Sequence, residues 1–209
     1  MNIRTFTVVM AVVVVLIAGF IPPSQEQRFQ VSYTIEPQSN LYIKGTTNIN
    51  SFECVSLDAF RVQHLKGTYD PSTRKATFSG ATLKLQVKKL DCDNSKMNKD
   101  LCEALNEEVY PTIIVSLHAA SLTSPSLGTS TTDITADATL EISGVKRKVQ
   151  FQTKGRRLAD DAYQFTAEKT ILMSDFGVDP PTALFGLIKV DDEIAIHLDI
   201  VTRAVTKEN

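Results

Sequence analysis

Histidine and acidic side chains are the groups of this 209-residue chain that could bind a metal or carry out catalysis. The histidines are His64, His118 and His197, and none has a second ligand-type residue at the short spacing typical of zinc sites. His118 and His197 fall out of phase with the apolar residues of their predicted strands, which places them on a water-facing surface. The sequence therefore predicts no metal site.

Adjacent carboxylates occur at Glu107-Glu108, Asp160-Asp161 and Asp191-Asp192, where turns or helix ends are expected. General acid–base catalysis needs two carboxylates in different environments inside a cleft, whereas acidic pairs in turns are usually solvated. Asp175-Phe176-Gly177 matches the metal-binding tripeptide of protein kinases, but the other kinase motifs are missing from the sequence. We interpret this segment as a turn in which Gly177 adopts a positive φ. The sequence predicts neither an enzyme nor a bound cofactor.

The chain has three cysteines, Cys54, Cys92 and Cys102, and no C-x-x-C motif that would indicate a redox or zinc site. An odd number favours one disulfide and one free thiol. We expect the Cys54–Cys92 pair, because both residues adjoin predicted strands that can lie side by side. A Cys92–Cys102 bond and three free thiols remain the alternatives. A free Cys102 would be a small, buried residue of a helix.

The first residues resemble a targeting signal. Arg4 is followed by the uncharged apolar segment 8–21, which Pro22 and Pro23 terminate. This segment has the length of a signal-peptide core and is short for a membrane span. We therefore interpret residues 1–25 as a signal peptide, with an uncleaved N-terminal anchor as the alternative, because no clear A-x-A cleavage site follows. Export would place the protein in the periplasm or outside the cell, where disulfides form.

The charge balance excludes one class of partner. The formal net charge is -2, and no segment is strongly basic. Binding to nucleic acid depends on lysines and arginines clustered against the phosphates, so a nucleic-acid partner is not expected.

Residues 28–205 are predicted to form one all-β domain. Apolar and polar residues alternate with a period of two, for example over 83–88, 113–118 and 194–200, and turn residues separate such segments. Clean alternation gives each strand one dry and one wet face, which is typical of antiparallel sheets. Such strands close into a barrel or stack as a sandwich, and we favour the barrel.

One helix is predicted near residues 96–108. Apolar residues recur at four-residue spacing from Met97 to Leu105, and Asn94 or Ser95 can cap the first turn. We expect this helix to lie over the barrel or over one of its mouths.

The barrel interior is where a ligand would bind. Residues in phase with the dry faces should share this interior, some as packed core and those near the middle as the lining of a tunnel. A register error of one residue would exchange the two faces of a strand. The candidate lining residues are Leu83, Leu85, Val87, Ile113, Val115, Leu117, Leu140, Ile142, Phe151, Ile196 and Leu198.

The order of several short segments resembles the YceI family. Segment 110–113, Y-P-T-I, follows the predicted helix, segment 140–149 resembles that family's L-x-I-x-G-V-x-[KR]-x-V hairpin, and segment 174–177 resembles its S-D-F-G stretch. The chain departs from many members at Asn48, where histidine is common, and at Lys99-Asp100, where an Arg-Asp pair is frequent.

The resemblance implies an extended, lipocalin-like antiparallel barrel of about eight strands that binds polyisoprenoids or similar amphiphilic lipids without catalysis. Burial of a five-carbon isoprene unit contributes roughly 4 kcal/mol gross and association costs on the order of 4–15 kcal/mol, so a few units can bind through apolar contact alone. The prediction is an exported lipid carrier. The alternative is a structural module with a solidly packed barrel whose outer face meets a membrane or envelope protein; an enzyme ranks last.

Overall fold

The computed structural model describes residues 26–60, 62–159, 161–183, 185 and 187–205, and the signal peptide predicted at 1–25 lies outside them. Within the described residues the chain forms twelve β-strands and one α-helix, so the predicted all-β class with a single helix is confirmed. The elements are β1 (Gln27–Ile35), β2 (Asn40–Thr47), β3 (Ser51–Ser56), β4 (Gln63–Asp70), β5 (Lys75–Gln86), β6 (Leu90–Asp91), α1 (Ser95–Ala104), β7 (Thr112–Leu122), β8 (Thr132–Ile142), β9 (Val145–Arg157), β10 (Ala162–Leu172), β11 (Thr182–Ala183) and β12 (Ile188–Ala204).

Eight of these strands close into a ring in the order β1-β4-β5-β7-β8-β9-β10-β12, and β12 pairs again with β1. Every neighbouring pair is antiparallel. The barrel predicted from the alternating pattern is therefore confirmed. Closure gives each ring strand a partner on both sides, which removes the exposed edges of an open sheet.

Strand β12 joins two levels of the barrel. On one side it pairs with β10 from Glu193 to Arg203. On the other side its residues 190–199 pair with β2, whereas residues 202–204 pair with β1. Strands β2, β3 and β6 therefore continue the wall at the level where β1 and β4 no longer reach, and this level is called the upper barrel below. The result is an elongated barrel.

Two asparagines fix the start of α1 against β6. The Asn94 side chain accepts a hydrogen bond from the backbone N–H of Met97 at 3.1 Å, which caps the first turn. The Asn98 side chain accepts from the backbone N–H of Cys92 at 2.8 Å and donates to the Asp91 carboxylate at 2.9 Å. The helix is thereby attached directly to the end of a strand.

The other end of α1 comes earlier than predicted. Asn106 adopts a φ of 51°, and the N–H groups of Asn106 and Glu107 donate to the carbonyls of Glu103 and Cys102. This pair of bonds is a Schellman C-cap, which stops the helix at Ala104 although apolar residues continue beyond it. The apolar spacing alone carries no information about this backbone reversal.

The β8–β9 hairpin packs against the end of α1. Ser143 and Gly144 have φ values of 48° and 77°, the two positive values of a type I′ turn. A Cβ atom on Gly144 would lie 2.5 Å from the Tyr110 ring, so this position requires glycine. The Ser143 hydroxyl donates to the Leu105 carbonyl at 2.9 Å. The Tyr-Pro and Gly-Val segments singled out in the sequence thus meet in space.

The S-D-F-G segment forms a short 3-10 turn (Ser174–Phe176) that closes one side of the upper barrel. Gly177 has the predicted positive φ, 69°. Phe176 is almost fully buried among residues of the main core cluster. Ser174 donates to the Asp192 carboxylate, and this hydrogen bond lowers the pKa of Asp192. The role of this segment is therefore structural, since it closes one side of the upper barrel.

None of the helices in the described part of the chain has the length and apolar character needed to span a bilayer.

Cys54 and Cys92 form a disulfide across 38 residues of sequence, and Cys102 is a free, half-buried thiol of α1 whose pKa is raised by burial. The pairing follows from the β3–β6 ladder, in which Val55 lies opposite Asp91. The disulfide therefore ties the end of the upper wall to the start of α1.

Replacing Cys54 and Cys92 together by alanine is expected to lower the free energy of unfolding by about 4 kcal/mol, the chain-entropy value for a loop of this length. Urea unfolding under non-oxidising and non-reducing conditions measures the change. The matched control Cys102→Ala leaves the disulfide intact and should lose far less. A double variant as stable as its parent would contradict a stabilising role for this bond.

Candidate functional site

The upper barrel encloses a cavity of about 370 Å³. This volume lies toward the lower end of the range of about 300–1,000 Å³ found for small-molecule sites. The walls come from β2, β3 and β5 to β12, and α1 and the 3-10 turn (Ser174–Phe176) cover them. Most of the lining side chains are aliphatic or aromatic, so the interior suits an apolar ligand.

The predicted lining residues come together to a large extent. Eight of the eleven side chains surround this one space, and they belong to five different strands. They are Leu85, Ile113, Val115, Leu140, Ile142, Phe151, Ile196 and Leu198.

Val87 does not line the cavity. Strand β5 ends at Gln86, and Val87 begins a short 3-10 turn (Val87–Lys89), so the period of two stops one residue before it. Its side chain is 1% exposed and belongs to the core cluster that contains Leu90 and Leu105. Val87 is therefore packed core behind the cavity wall.

Leu83 and Leu117 are half-buried and also lie outside the lining. Leu117 adjoins a register shift between β7 and β8, and such bulges bend and twist a strand. Leu83 lies on the half of β5 beyond Ser79, where β4 no longer pairs with it. The wall is irregular at this level, which a strict count of alternating residues cannot anticipate.

Several lining residues were not among the predicted set. Leu41 and Ile43 of β2 line the cavity, and their alternation with Tyr42 and Lys44 was a usable signal. Met97 and Leu101 line it from the inward face of α1, as the helical spacing of these residues would have allowed. Met173 and Val178, by contrast, flank the 3-10 turn and follow no periodic pattern.

Polar groups in the lining are concentrated where the cavity opens. Thr47 and Asn50 come from the β2–β3 hairpin, and Lys96 and Asp100 come from α1. The Lys96 ammonium lies 2.9 Å from the Asp100 carboxylate, and its side chain is 65% exposed. Exposed lining residues mark the opening, and Asn50 and Lys96 place it between the β2–β3 hairpin and the first turns of α1. The two charged side chains of this lining are paired with each other.

Asn48 holds the opening in shape. Its side-chain amide donates to the Leu187 carbonyl at 2.9 Å and accepts from the Lys189 backbone N–H at 2.9 Å. These bonds join the β2–β3 hairpin to the start of β12. Both hydrogen-bonding functions of the Asn48 side chain are thereby used within the protein, so its role here is structural.

Three exposed apolar side chains lie beside the opening. Ile49 lines the cavity and is 65% exposed, and Phe185 and Leu187 are still more exposed. Phe185 and Leu187 lie in the connection between the lining residues Thr182 and Ile188. Large apolar side chains held in water at the mouth of an apolar cavity are typical of a site of interaction or ligand entry.

The buried polar side chains of the described residues already make hydrogen bonds within the protein. Among the described residues, every buried side-chain nitrogen and oxygen atom has a hydrogen-bond partner. A ligand with many polar groups would find nothing to replace its hydrogen bonds to water, and its desolvation would be unfavourable.

Of the acidic residues considered in the sequence, Asp160 lies outside the residues that the structure describes, and Glu107, Asp191 and Asp192 differ from expectation. Glu107 is buried rather than solvated, and it accepts a hydrogen bond from Lys88 at 3.0 Å that raises the pKa of Lys88. Asp191 and Asp192 lie within β12 rather than in a turn, where Asp191 accepts from Thr46. Each of these carboxylates fixes local structure at the rim or back of the barrel.

The histidines lie apart on three different strands. His197 stacks on Tyr42 with ring centroids 4.6 Å apart, His118 contacts Thr139 at 2.7 Å, and His64 contacts Ser32. Within the described ranges, no group of three or more His, Cys, Asp or Glu residues could hold a metal ion.

The fold and the cavity together define an elongated antiparallel β-barrel with an apolar, ligand-sized chamber in its upper part. The family model of the YceI-like domain matches residues 33–202. The chain therefore belongs to the YceI family. No curated protein sequence matches it.

Solved structures with the same fold share little sequence with this chain. A polyisoprenoid-binding domain from Saccharophagus degradans, implicated in plant cell wall breakdown, has a TM-score of 0.59 at 14% identity over 84% of this chain and 99% of that one. BcnA of Burkholderia cenocepacia has a TM-score of 0.57 at 16% identity, covering 78% and 96%. The YceI protein of Campylobacter jejuni has a TM-score of 0.51 at 15% identity, covering 68% and 81%.

Proposed function

We propose that this protein is a non-enzymatic carrier that holds a polyisoprenoid or a similar long apolar lipid in the upper barrel, for storage or transport in the periplasm. The observation that carries the proposal is the apolar cavity whose polar lining is confined to its opening. An amphiphilic lipid has the complementary distribution, with an apolar chain and one polar end.

The driving force follows from the lining. Each buried CH₂ group contributes about 0.8 kcal/mol, so a chain of a few isoprene units offsets the cost of association without any charged contact. The name of the Saccharophagus degradans relative, a polyisoprenoid-binding domain, supports this ligand class. The proposal includes no catalysis. Glu107, Asp191, Asp192 and the three histidines have structural partners and do not line the cavity, and the lining carboxylate Asp100 is paired with Lys96 at the opening.

Exchange of the ligand is proposed to take place at the opening. The side chains of Ile49, Phe185 and Leu187 are exposed there and can contact the lipid or the membrane or envelope protein that delivers it. The alternative function, a structural module with a solidly packed barrel, is not favoured, because a packed barrel would leave no space of about 370 Å³.

Replacing Val115 by tryptophan tests the proposal. The larger ring should fill the cavity, so lipid recovered in organic extracts of the purified protein should fall sharply while stability decreases by about 1–3 kcal/mol from overpacking. Mass spectrometry of the extracts and urea unfolding measure the two effects. The matched control is Ile114→Trp, since Ile114 lies next to Val115 on the opposite face of β7 and is not part of this cavity's lining.

Equal lipid content in the parent and in a well-folded Val115→Trp variant would count against a ligand in this cavity. Extracts of the parent protein that contain no lipid at all would favour the packed structural module.

Export is the second part of the proposal and has its own test. Produced in a Gram-negative host, the protein should be recovered in the periplasmic fraction, shortened by about 20–27 residues, as expected for a signal peptide of this kind. Intact mass and fractionation measure both properties. Full-length protein confined to the cytosol would rule out export, and full-length protein in the membrane fraction would indicate the uncleaved anchor.

A further inference from the structure

A second cavity, of about 250 Å³, lies where the upper barrel meets the ring level formed by β1 and β4. Its apolar walls include Ile35, Phe60 and Ile200. Leu41 lines both this cavity and the main one. The two spaces are therefore neighbours that share one side chain.

The two cavities lie along the same face of β12. Ile196 and Leu198 line the main cavity, and Ile200 lines the second. Alternate residues of a strand point to one side, so these three side chains form a continuous row from one space to the next. A chain lying on this row in the main cavity is aimed at the second.

Leu41 of β2 lies beside this row of β12 side chains and lines both cavities. It is paired in register with Leu198 of β12, and it is only 6% exposed. Its side chain therefore lies at the boundary between the two spaces, where it shortens the room available to a ligand. The next inward residue of β2, Ile43, lines the main cavity alone.

The polar groups around the second cavity are already bonded within the protein. Ser39 exchanges hydrogen bonds with the backbone of Val201 at 3.0 and 3.2 Å. Asp58 accepts from the Gln86 backbone N–H at 2.8 Å and lies 3.6 Å from the Lys89 ammonium. Glu36, the other carboxylate of this lining, accepts from the Thr34 hydroxyl at 2.8 Å. The second cavity therefore has both apolar and polar walls, and because its carboxylates already have partners within the protein, it suits the apolar end of a chain better than a charged head.

We propose that Leu41 determines the length of the lipid chain that this barrel accepts, by closing the main cavity against the second one. This inference rests on the proposed lipid-carrier function and adds a limit to it. The ligand class is a single apolar chain that ends against Leu41. Shortening the Leu41 side chain joins the two spaces and admits a longer chain.

The test uses the full chain and a graded series of prenols: geraniol, farnesol, geranylgeraniol and solanesol. Displacement of a fluorescent fatty acid gives the affinity for each prenol. For the parent protein, affinity should rise with chain length and then stop rising at the member that reaches Leu41. For Leu41→Ala, the next longer prenol should bind at least tenfold more tightly than it binds the parent. Ile43→Ala removes the same atoms from the adjacent inward position and should bring no such gain.

Each result has a defined meaning. A parent that binds no prenol overturns the proposed function and this inference with it. A parent that binds prenols, with the same preferred length in Leu41→Ala, overturns the inference alone, and so does an equal gain in Ile43→Ala. If Leu41→Ala does not fold, Leu41→Val replaces it with a smaller gain of the same sign, and an unchanged length preference in Leu41→Val is equally decisive against the proposal.

Discussion

The pairing of β12 on both of its edges is the constraint on which the rest of this structure depends. Seventeen residues long, this strand contacts β10 along one edge and first β2, then β1, along the other. Its inward row, from Ile194 to Ile200, forms one wall of the interior through both levels of the barrel. Because side chains alternate strictly between faces, a slip of one residue in β12 would turn that whole row outward.

The proposed function depends both on the apolar residues that line the main cavity and on the scarcity of polar residues in its interior. The main cavity is apolar, and its polar residues are gathered at the opening, where Lys96 and Asp100 neutralise one another. Affinity for a chain would then come from buried area, and selectivity from shape. In such a site a side chain such as Leu41, which closes the end of the cavity, can select ligands by chain length, because no hydrogen bond is available to distinguish one apolar chain from another.

The period-two pattern predicted the parts of the molecule that are regular. The all-β class, the closed barrel and the region of the helix follow from alternation and helical spacing, which depend on local burial. Eight proposed lining residues surround one cavity for the same reason. The pattern could not predict where the strands become irregular. Val87 lies in a 3-10 turn and Leu117 beside a bulge, and neither feature leaves a periodic trace.

Pairing between strands that are distant in the chain was the other feature that the sequence pattern could not predict. The contribution of β2 and β3 to the cavity depends on the pairing of β2 with β12, which lies more than a hundred residues away in the chain, and on the pairing of β3 with β2. The packing of Phe176 in the main core cluster and the contact between Tyr110 and Gly144 likewise depend on residues that are distant in the sequence. The turn-forming residues of the sequence indicated Gly144 and Gly177, whereas the residues that pack against these turns became identifiable only in the folded structure.

Methyl-selective nuclear magnetic resonance provides the most direct test that an apolar chain occupies the upper barrel. Isoleucine, leucine and valine methyl groups of the intact protein would be followed during titration with farnesol. A chain bound in the upper barrel should cause saturable shifts at the inward residues Ile113, Val115 and Ile196, with the methyl groups of Ile114 on the outer face of β7 unchanged. Shifts confined to the exposed Ile49 and Leu187, with the interior methyl groups unmoved, would contradict binding in the upper barrel.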